Sequence, residues 1–388
     1  MTVLGSILNR SGERPSAGLP AWGDWTPSSG GTTWAGQNVS VSSSVQLLTV
    51  YGCARFIADG ISTLPIDDFR RRPDGSPEEV RPPQWLEEPT SELDFTAWAG
   101  QKLLSLLLDG NAYSLMHRAG GSLLGMEPLD PALCEPDRQN GRKTILVNGE
   151  RHSTFQVAHI PGLMWPGSVK GLSPVEAARQ TIGQGMSAQE YGARFFGQGA
   201  ALSGVIETSG DLNDTQAKVM AKAWKRAHSG PNNANLPGVL SGGAVWKPTG
   251  VTNEQSQFLE TRKFTASEIA AQMFLIDPAE MGLPVDGSSL TYANLEQRNA
   301  RKVQVTFLPW ITRLENFLSY LLPRPQYVKF NVNGLLRGDM KTRFESYAIG
   351  IRNQFMVPNE ARDFEDWMPL DGGDVPPTEL PAAGGTPT

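Results

Sequence analysis

Histidine is scarce in this 388-residue chain, and the four present, His117, His152, His159 and His228, are scattered. None stands at a spacing that would let two of them share a metal ion. Cysteine is scarcer: Cys53 and Cys134 are too few for a disulfide framework and read as buried thiols of a reducing compartment. Positive charge is not in excess either, with 34 Lys and Arg against 40 Asp and Glu and a net charge of −6. That excludes the global basic footprint of a protein that grips nucleic acid along its backbone. No apolar run approaches the ~20 residues of a membrane span, and the opening "MTVLGSILNRSGERP" has no apolar centre of signal-peptide length. The expectation is a protein made and kept in cytoplasm-like conditions, without membrane contact.

Catalytic motifs are missing as well. There is no Gly-x4-Gly-Lys-Ser/Thr loop and no His-Glu-x-x-His, and "GSVKG" has its serine in the wrong place for a nucleophile elbow. His117 and His159 fall in expected strands and are the one pair on which a hydrolase would rest. The close acids of "DLND" read as helix capping and those of "DGGD" as a solvated loop. Asp339, in an "RGD" triplet, reads as the cap of the helix "MKTRFESYAIGIR". No catalytic residue, metal site or cofactor is expected.

What is abundant is glycine (41) and proline (29), in a chain long enough for two or three domains. Residues 1–44 read as a flexible arm, with Gly, Ser, Thr and Pro around three tryptophans in 11–44, a composition that builds no core of its own. Helices are expected at "SSVQLLTVYGCARFIADGIS" and at "DFTAWAGQKLLSLLLDG", the latter capped by Thr90, Ser91 or Asp94 and ended by Gly110. "NAYSLMHR", "LLGMEPLD", "KTILVNG" and "TFQVAHIPG" read as a small antiparallel sheet. Ser173, Pro174 and Glu176 open a helix to about residue 198, in which Gly183, Gly185 and Gly192 each cost about 0.8–1.0 kcal/mol of propensity. Glycines at that density point to close approach by another helix. A strand–helix–strand insert follows, then a helix over 253–275 that is polar around most of its circumference.

The longest helical run, Thr291 to Pro323, has a proline in its middle. Phe307, Trp310, Ile311, Leu314, Phe317, Leu318 and Leu321 mark one buried face, and Pro309 presses on the carbonyl of Val305, predicting a kink.

These stretches, with "AHIPG", "GLSPVEAAR", "FFGQGAALSGVI", "TRKFTASEIAAQMF", "YANLEQRNARKVQVTFLPWITRLENFL", "LLRGDMKTRFESY" and "VPNEARDFEDWMPLDGGD", run in an order that resembles the portal proteins of tailed bacteriophages, of the lambdoid siphophage type. The resemblance spans roughly residues 45–374; Val357-Pro358 stands where a small hydroxyl residue is expected, and the arm matches nothing. It implies an α+β subunit. The sheet-rich wing would comprise 45–172 and part of 276–332, and the two-helix stem 173–198 and 253–275. A small α/β clip would lie at 199–252, with a tunnel loop and kinked helix within 276–332, a helical crown at 333–370 and a disordered tail at 371–388. By the same resemblance, twelve subunits form a ring at one capsid vertex, assembled in the host cytoplasm. Double-stranded DNA passes through it without sequence preference. Its partners are the major capsid protein, the large terminase subunit and then a head-tail connector. A different virion ring or adaptor is the nearest alternative.

Two sites follow. Gly282, Leu283, Pro284, Val285, Asp286, Gly287, Ser288 and Ser289 form the expected tunnel loop, which carries one charge and no cation. It suits contact with DNA by size and weak polar interaction. Lys218, Lys222, Lys225 and Arg226 share one face of the clip helix and form the expected motor-docking surface. Pro309 fixes the angle at which the kinked helix leaves the channel wall.

Overall fold

The computed structural model describes residues 31–197, 204–207, 213–228, 245–248, 252–283, 298–332, 340–365 and 367–376. A two-rung hairpin of β1 (Gly31–Thr32) and β2 (Asn38–Val39) leads to α1 (Leu48–Ser62). Val50, Cys53, Ala54, Ile57 and Ile61 of α1 are fully buried, the three- and four-residue steps of one apolar face. After β3 (Ile66–Arg71) and β4 (Pro77–Val80), α2 (Phe95–Leu108) packs across α1. Asp94 caps α2, its carboxylate accepting from the Ala97 amide at 2.7 Å. Gly110 ends the segment at φ +82°, and a Cβ there would lie 2.0 Å from the Leu172 carbonyl oxygen. Only glycine fits.

Asn111 makes that junction rigid. Its amide nitrogen donates to Asp109 Oδ1 at 3.0 Å and to the Gly171 carbonyl at 3.1 Å, and its oxygen accepts from the Gly171 amide at 2.7 Å. From here the expected small sheet divides into two. β5 (Asn111–Ala119), β6 (Ser122–Leu129) and β10 (Val157–Pro161) pair in the order β10-β5-β6. β7 (Cys134–Gln139), β8 (Arg142–Val147) and β9 (Glu150–Ser153) form a separate antiparallel meander.

Ser173 caps a first turn, Pro174–Ala177, as its spacing to Glu176 requires. The helix then steps at Ala178, so the expected single helix becomes this turn plus α3 (Arg179–Gly197). The insert holds β11 (Gly204–Glu207), α4 (Asp214–His228) and β12 (Val245–Pro248), and α5 (Thr252–Glu268) returns from it. β11 and β12 are antiparallel partners. A Cβ at Gly185 of α3 would lie 3.4 Å from Thr265 Cγ2 of α5 and 2.9 Å from Leu47 Cδ2. The strand pair lies about equally far along both helices from that contact, so α3 and α5 run side by side in opposite directions. Two of these glycines thus serve packing within the chain: Gly185 admits α5, and Gly183 admits Thr33 of the arm.

α6 (Leu308–Leu321) buries Ile311, Leu314 and Leu318 in the main core, on the face expected from sequence. β13 (Gln326–Phe330) then pairs with β3, giving a third sheet in the order β13-β3-β4. α7 (Met340–Arg352) and α8 (Pro358–Asp363) close the described chain. The expected tail at 371–388 begins inside a folded turn. Asn359 of α8 donates to Asp374 Oδ1 at 2.8 Å and to the Leu370 carbonyl at 3.0 Å, while residues 377–388 lie outside the described set.

Among the described residues, Lys102 and Asp68 are buried ionisable side chains that form no ion pair. Lys102 of α2 is 1% exposed, donates to the Tyr113 carbonyl and lies 5.4 Å from the Trp98 ring, and burial pulls its ammonium down to about 7. Asp68 of β3 is 1% exposed with neither carboxylate oxygen hydrogen-bonded, and burial pushes it up to about 6.

Candidate functional site

Gly282 and Leu283 are the described residues of the expected tunnel loop; Pro284, Val285, Asp286, Gly287, Ser288 and Ser289 lie outside the described set. Both roots of that segment are in view. On its N-terminal side, α5 runs into one widened π-helical stretch, Ile269–Met273, closed by the Phe274 amide on the Ile269 carbonyl at 3.3 Å. Leu275 follows at φ +55°, a left-handed conformation that is costly for a bulky residue. Asp277 then caps the short turn Pro278–Met281, and Gly282 leaves it at φ +69°.

On the C-terminal side, Lys302–Phe307 is a second π-helical stretch, ending two residues before Pro309. Proline has no amide to offer the Val305 carbonyl. The ladder ahead of it is shifted by one residue, with the Leu308 amide reaching the Val303 carbonyl. The missing Pro309 amide is therefore accommodated by widening the preceding turn. Arg313 reinforces the place, donating to the Pro309 carbonyl at 2.8 Å with its guanidinium 5.0 Å from the Trp310 ring.

The two roots are tied together. Thr306 Oγ1 donates to the Leu275 carbonyl at 2.5 Å, joining the second π stretch to the strained residue after the first. Lys302 Nζ pairs with Glu280 at 2.7 Å, and Arg298 lies 3.8 Å from Asp277. These groups line a cavity of about 250 Å³ that Arg301 also borders. Arg301 is exposed and has no ionic partner among the described residues. Sequence reading missed this brace. The signal was there: acids in "IDPAEM" and cations in "RNARK" flank the loop on opposite sides.

The cationic face lies on α4. Asn213 caps it, accepting from the Gln216 amide at 2.8 Å while Gln216 Oε1 accepts from the Asn213 amide at 3.2 Å. Lys218 and Lys222 are exposed. Lys225 and Arg226 belong to the same helix, where steps of four, three and one from Lys218 keep all four on one side, and their side chains lie outside the described set.

The histidine pair does not meet. His159 sits opposite Tyr113 across β10 and β5, whereas His117 is four residues further along β5, about 13 Å away at strand rise. His117 contacts Glu127 at 3.0 Å on the surface. His159 hydrogen-bonds Asn111 at 3.0 Å and stacks on Tyr113, and burial drives it down to about 2. No group of three His, Cys, Asp or Glu among the described residues is arranged to hold a metal ion, and no described helix is long and apolar enough to cross a membrane.

The model of one protein family, phage portal protein, matches residues 48–366. The probable portal protein of Streptomyces phage phiC31 is 30% identical over 387 residues, covering 91% of this chain and 82% of the relative. The portal protein of Enterobacteria phage HK97 is 27% identical, covering 85% and 81%. The fold is similar to the crystal structure of an HK97-family portal protein from Corynebacterium diphtheriae, with TM-score 0.58, 15% identity and coverage of 76% and 96%. It is also similar to a chain in the neck of a native gene transfer agent particle computed with C12 symmetry, with TM-score 0.55, 21% identity and coverage of 84% and 94%. From the start of α1 to beyond α8, this chain belongs to the phage portal protein family and is a structural part of a virion rather than an enzyme.

Proposed function

We propose that copies of this chain close into a twelve-membered ring at one capsid vertex, through which double-stranded DNA is packaged and later ejected. Family membership and the fold shared with a C12 particle neck support the ring. In this reading α3 and α5 are the stem, the insert around α4 is the clip, residues 284–289 face the channel and α7 and α8 belong to the crown. The clip takes the large terminase subunit first and a head-tail connector afterwards. The major capsid protein surrounds the ring, and assembly takes place in the host cytoplasm.

The observation that carries the channel role is the brace at 275–306. A loop without cations, held at both roots by the Thr306 hydrogen bond and two ion pairs, suits a constriction that touches moving DNA without binding it. A strongly basic wall would retain the duplex by counterion release. The net charge of −6 agrees with a conduit.

The test has two stages. Purified protein imaged in negative stain should show rings with a central hole, at about 505 kDa for 12 × 42.1 kDa. Small oligomers without a hole would refute the ring. Deleting Asp286–Ser289 should leave rings and capsid incorporation intact and lower the DNA packaged or retained. Full genomes at wild-type yield from that deletion would remove the loop from the mechanism.

A further inference from the structure

The stretch from α7 to Val375 carries an apolar surface that the subunit's own fold leaves uncovered. Ile349 is 53% exposed, Phe355 72%, Trp367 51% and Met368 83%, and Leu370 and Val375 are more than half exposed as well. Single apolar residues are ordinary on a surface, but this many in so short a stretch mark a contact with something else.

The stretch also lacks a core. Among its described residues Ala361 is the one buried hydrophobic side chain, and none belongs to either hydrophobic core of the subunit. Polar and aromatic contacts hold its shape. Arg343 pairs with Glu365 at 2.6 Å, Tyr347 donates to the same carboxylate at 2.9 Å, and Asn359 accepts from the Leu370 amide at 2.7 Å. Phe344 stacks on Trp367 with ring centroids 5.9 Å apart. A unit of fewer than about 40 residues needs more than this to stay folded, and a partner surface is the usual supply. Residues 377–388, "PTELPAAGGTPT", hold one large apolar side chain, Leu380, too little to cover six.

The exposed residues lie on two flanks. At about 100° per residue, Ile349 stands about 140° round α7 from Phe344 and about 160° from Tyr347. Phe344 is the residue on which Trp367 stacks, so Trp367 and its neighbour Met368 belong to the flank opposite Ile349. Two unlike apolar flanks on one subunit are what a closed ring requires, because each copy offers one patch forward and a different one back.

We propose that the Ile349 flank of one copy packs on the Trp367–Met368 flank of the next, so that α7 and α8 acquire their apolar core when the ring closes. The proposal rests on the ring reading above and names one place where two copies meet.

Crosslinking of the full chain tests it. Ile349→Cys with Met368→Cys puts a thiol on each flank, while the native Cys53 and Cys134 are buried. A short bismaleimide should convert rings verified in negative stain into a ladder of interchain products, and either single variant should run as a monomer in denaturing gels. Met368→Asp should keep the rings and raise their hydrogen exchange about tenfold at 343–352, with α2 unchanged. Absence of rings from the unaltered chain would remove the ring reading and this interface with it. Rings whose double variant gives no interchain product, or whose exchange at 343–352 ignores Met368→Asp, would overturn the interface and leave the ring standing.

Discussion

Thr306 Oγ1 lies 2.5 Å from the carbonyl oxygen of Leu275, across 31 residues of sequence that contain the whole expected tunnel loop. Thr306 is 4% exposed, so this bond forms out of water and its loss is not made good by solvent. Thr306→Val keeps the shape and removes the donor. It should destabilise the protein by about 1–3 kcal/mol in denaturant titration and raise hydrogen exchange at 274–283. Equal stability and unchanged exchange would show that the two roots are held without it.

Asp68 and Lys102 make stability depend on pH in opposite directions. Asp68 is raised to about 6 from 3.8, so between these values the folded state holds more protons and stability falls as pH rises. The full effect is about 3 kcal/mol at 1.36 kcal/mol per unit. Lys102 is lowered to about 7 from 10.5, so the unfolded state holds more protons in that window and stability rises with pH. Asp68→Asn should remove the slope between about pH 4 and 6 and raise the melting temperature at pH 7. Lys102→Met should flatten the alkaline slope. Melting curves from pH 4 to 10 check both, and an unaltered profile in either variant contradicts its assignment.

Gly185 stands where Leu47 of the arm side and Thr265 of α5 converge on α3. Gly185→Leu should increase intrinsic helicity and still destabilise the subunit by about 1–3 kcal/mol, because a leucine side chain must displace both Leu47 and Thr265. Circular dichroism and denaturant titration of the same sample separate the two effects. A variant both more helical and more stable would show that the glycine is merely tolerated.

Charge reversal at Lys218, Lys222 and Lys225 should leave ring formation intact and weaken association with the large terminase subunit at least tenfold at low salt. The difference should shrink as salt is raised, since exposed charges are screened over about 10 Å at 0.1 M. Binding that is unchanged at low salt would locate the docking surface elsewhere.

Much of the local structure was legible in the residues. A cap among Thr90, Ser91 and Asp94, the Gly110 stop, the Ser173–Glu176 spacing and the buried face of α6 each depend on neighbours within a few positions, and the fold selects Asp94 for the cap. The missed features depend on distant ones. Nothing around Lys102 announces that its stem crosses to Tyr113, and one expected sheet became two because chain order does not say where a meander turns away. Val357, where a hydroxyl cap was expected, is served from the other side: Glu360 Oε2 accepts its amide at 2.8 Å. The brace at Thr306 needed two helices to be widened at matching places, and a period of 3.6 residues carries no sign of that.

The pairing of β13 with β3 has a consequence for how the chain is made. β3 is the middle strand of its sheet, but its partner arrives about 255 residues later. At roughly 5–20 residues per second, synthesis leaves the β3 edge unpaired for about 13–50 s. An open edge carrying Ile66 and Phe69 is a template for pairing with another nascent chain on the same message. The subunit therefore cannot complete its fold on the ribosome as its N-terminal part emerges. Its yield should depend on how well that edge is shielded until Phe330 appears.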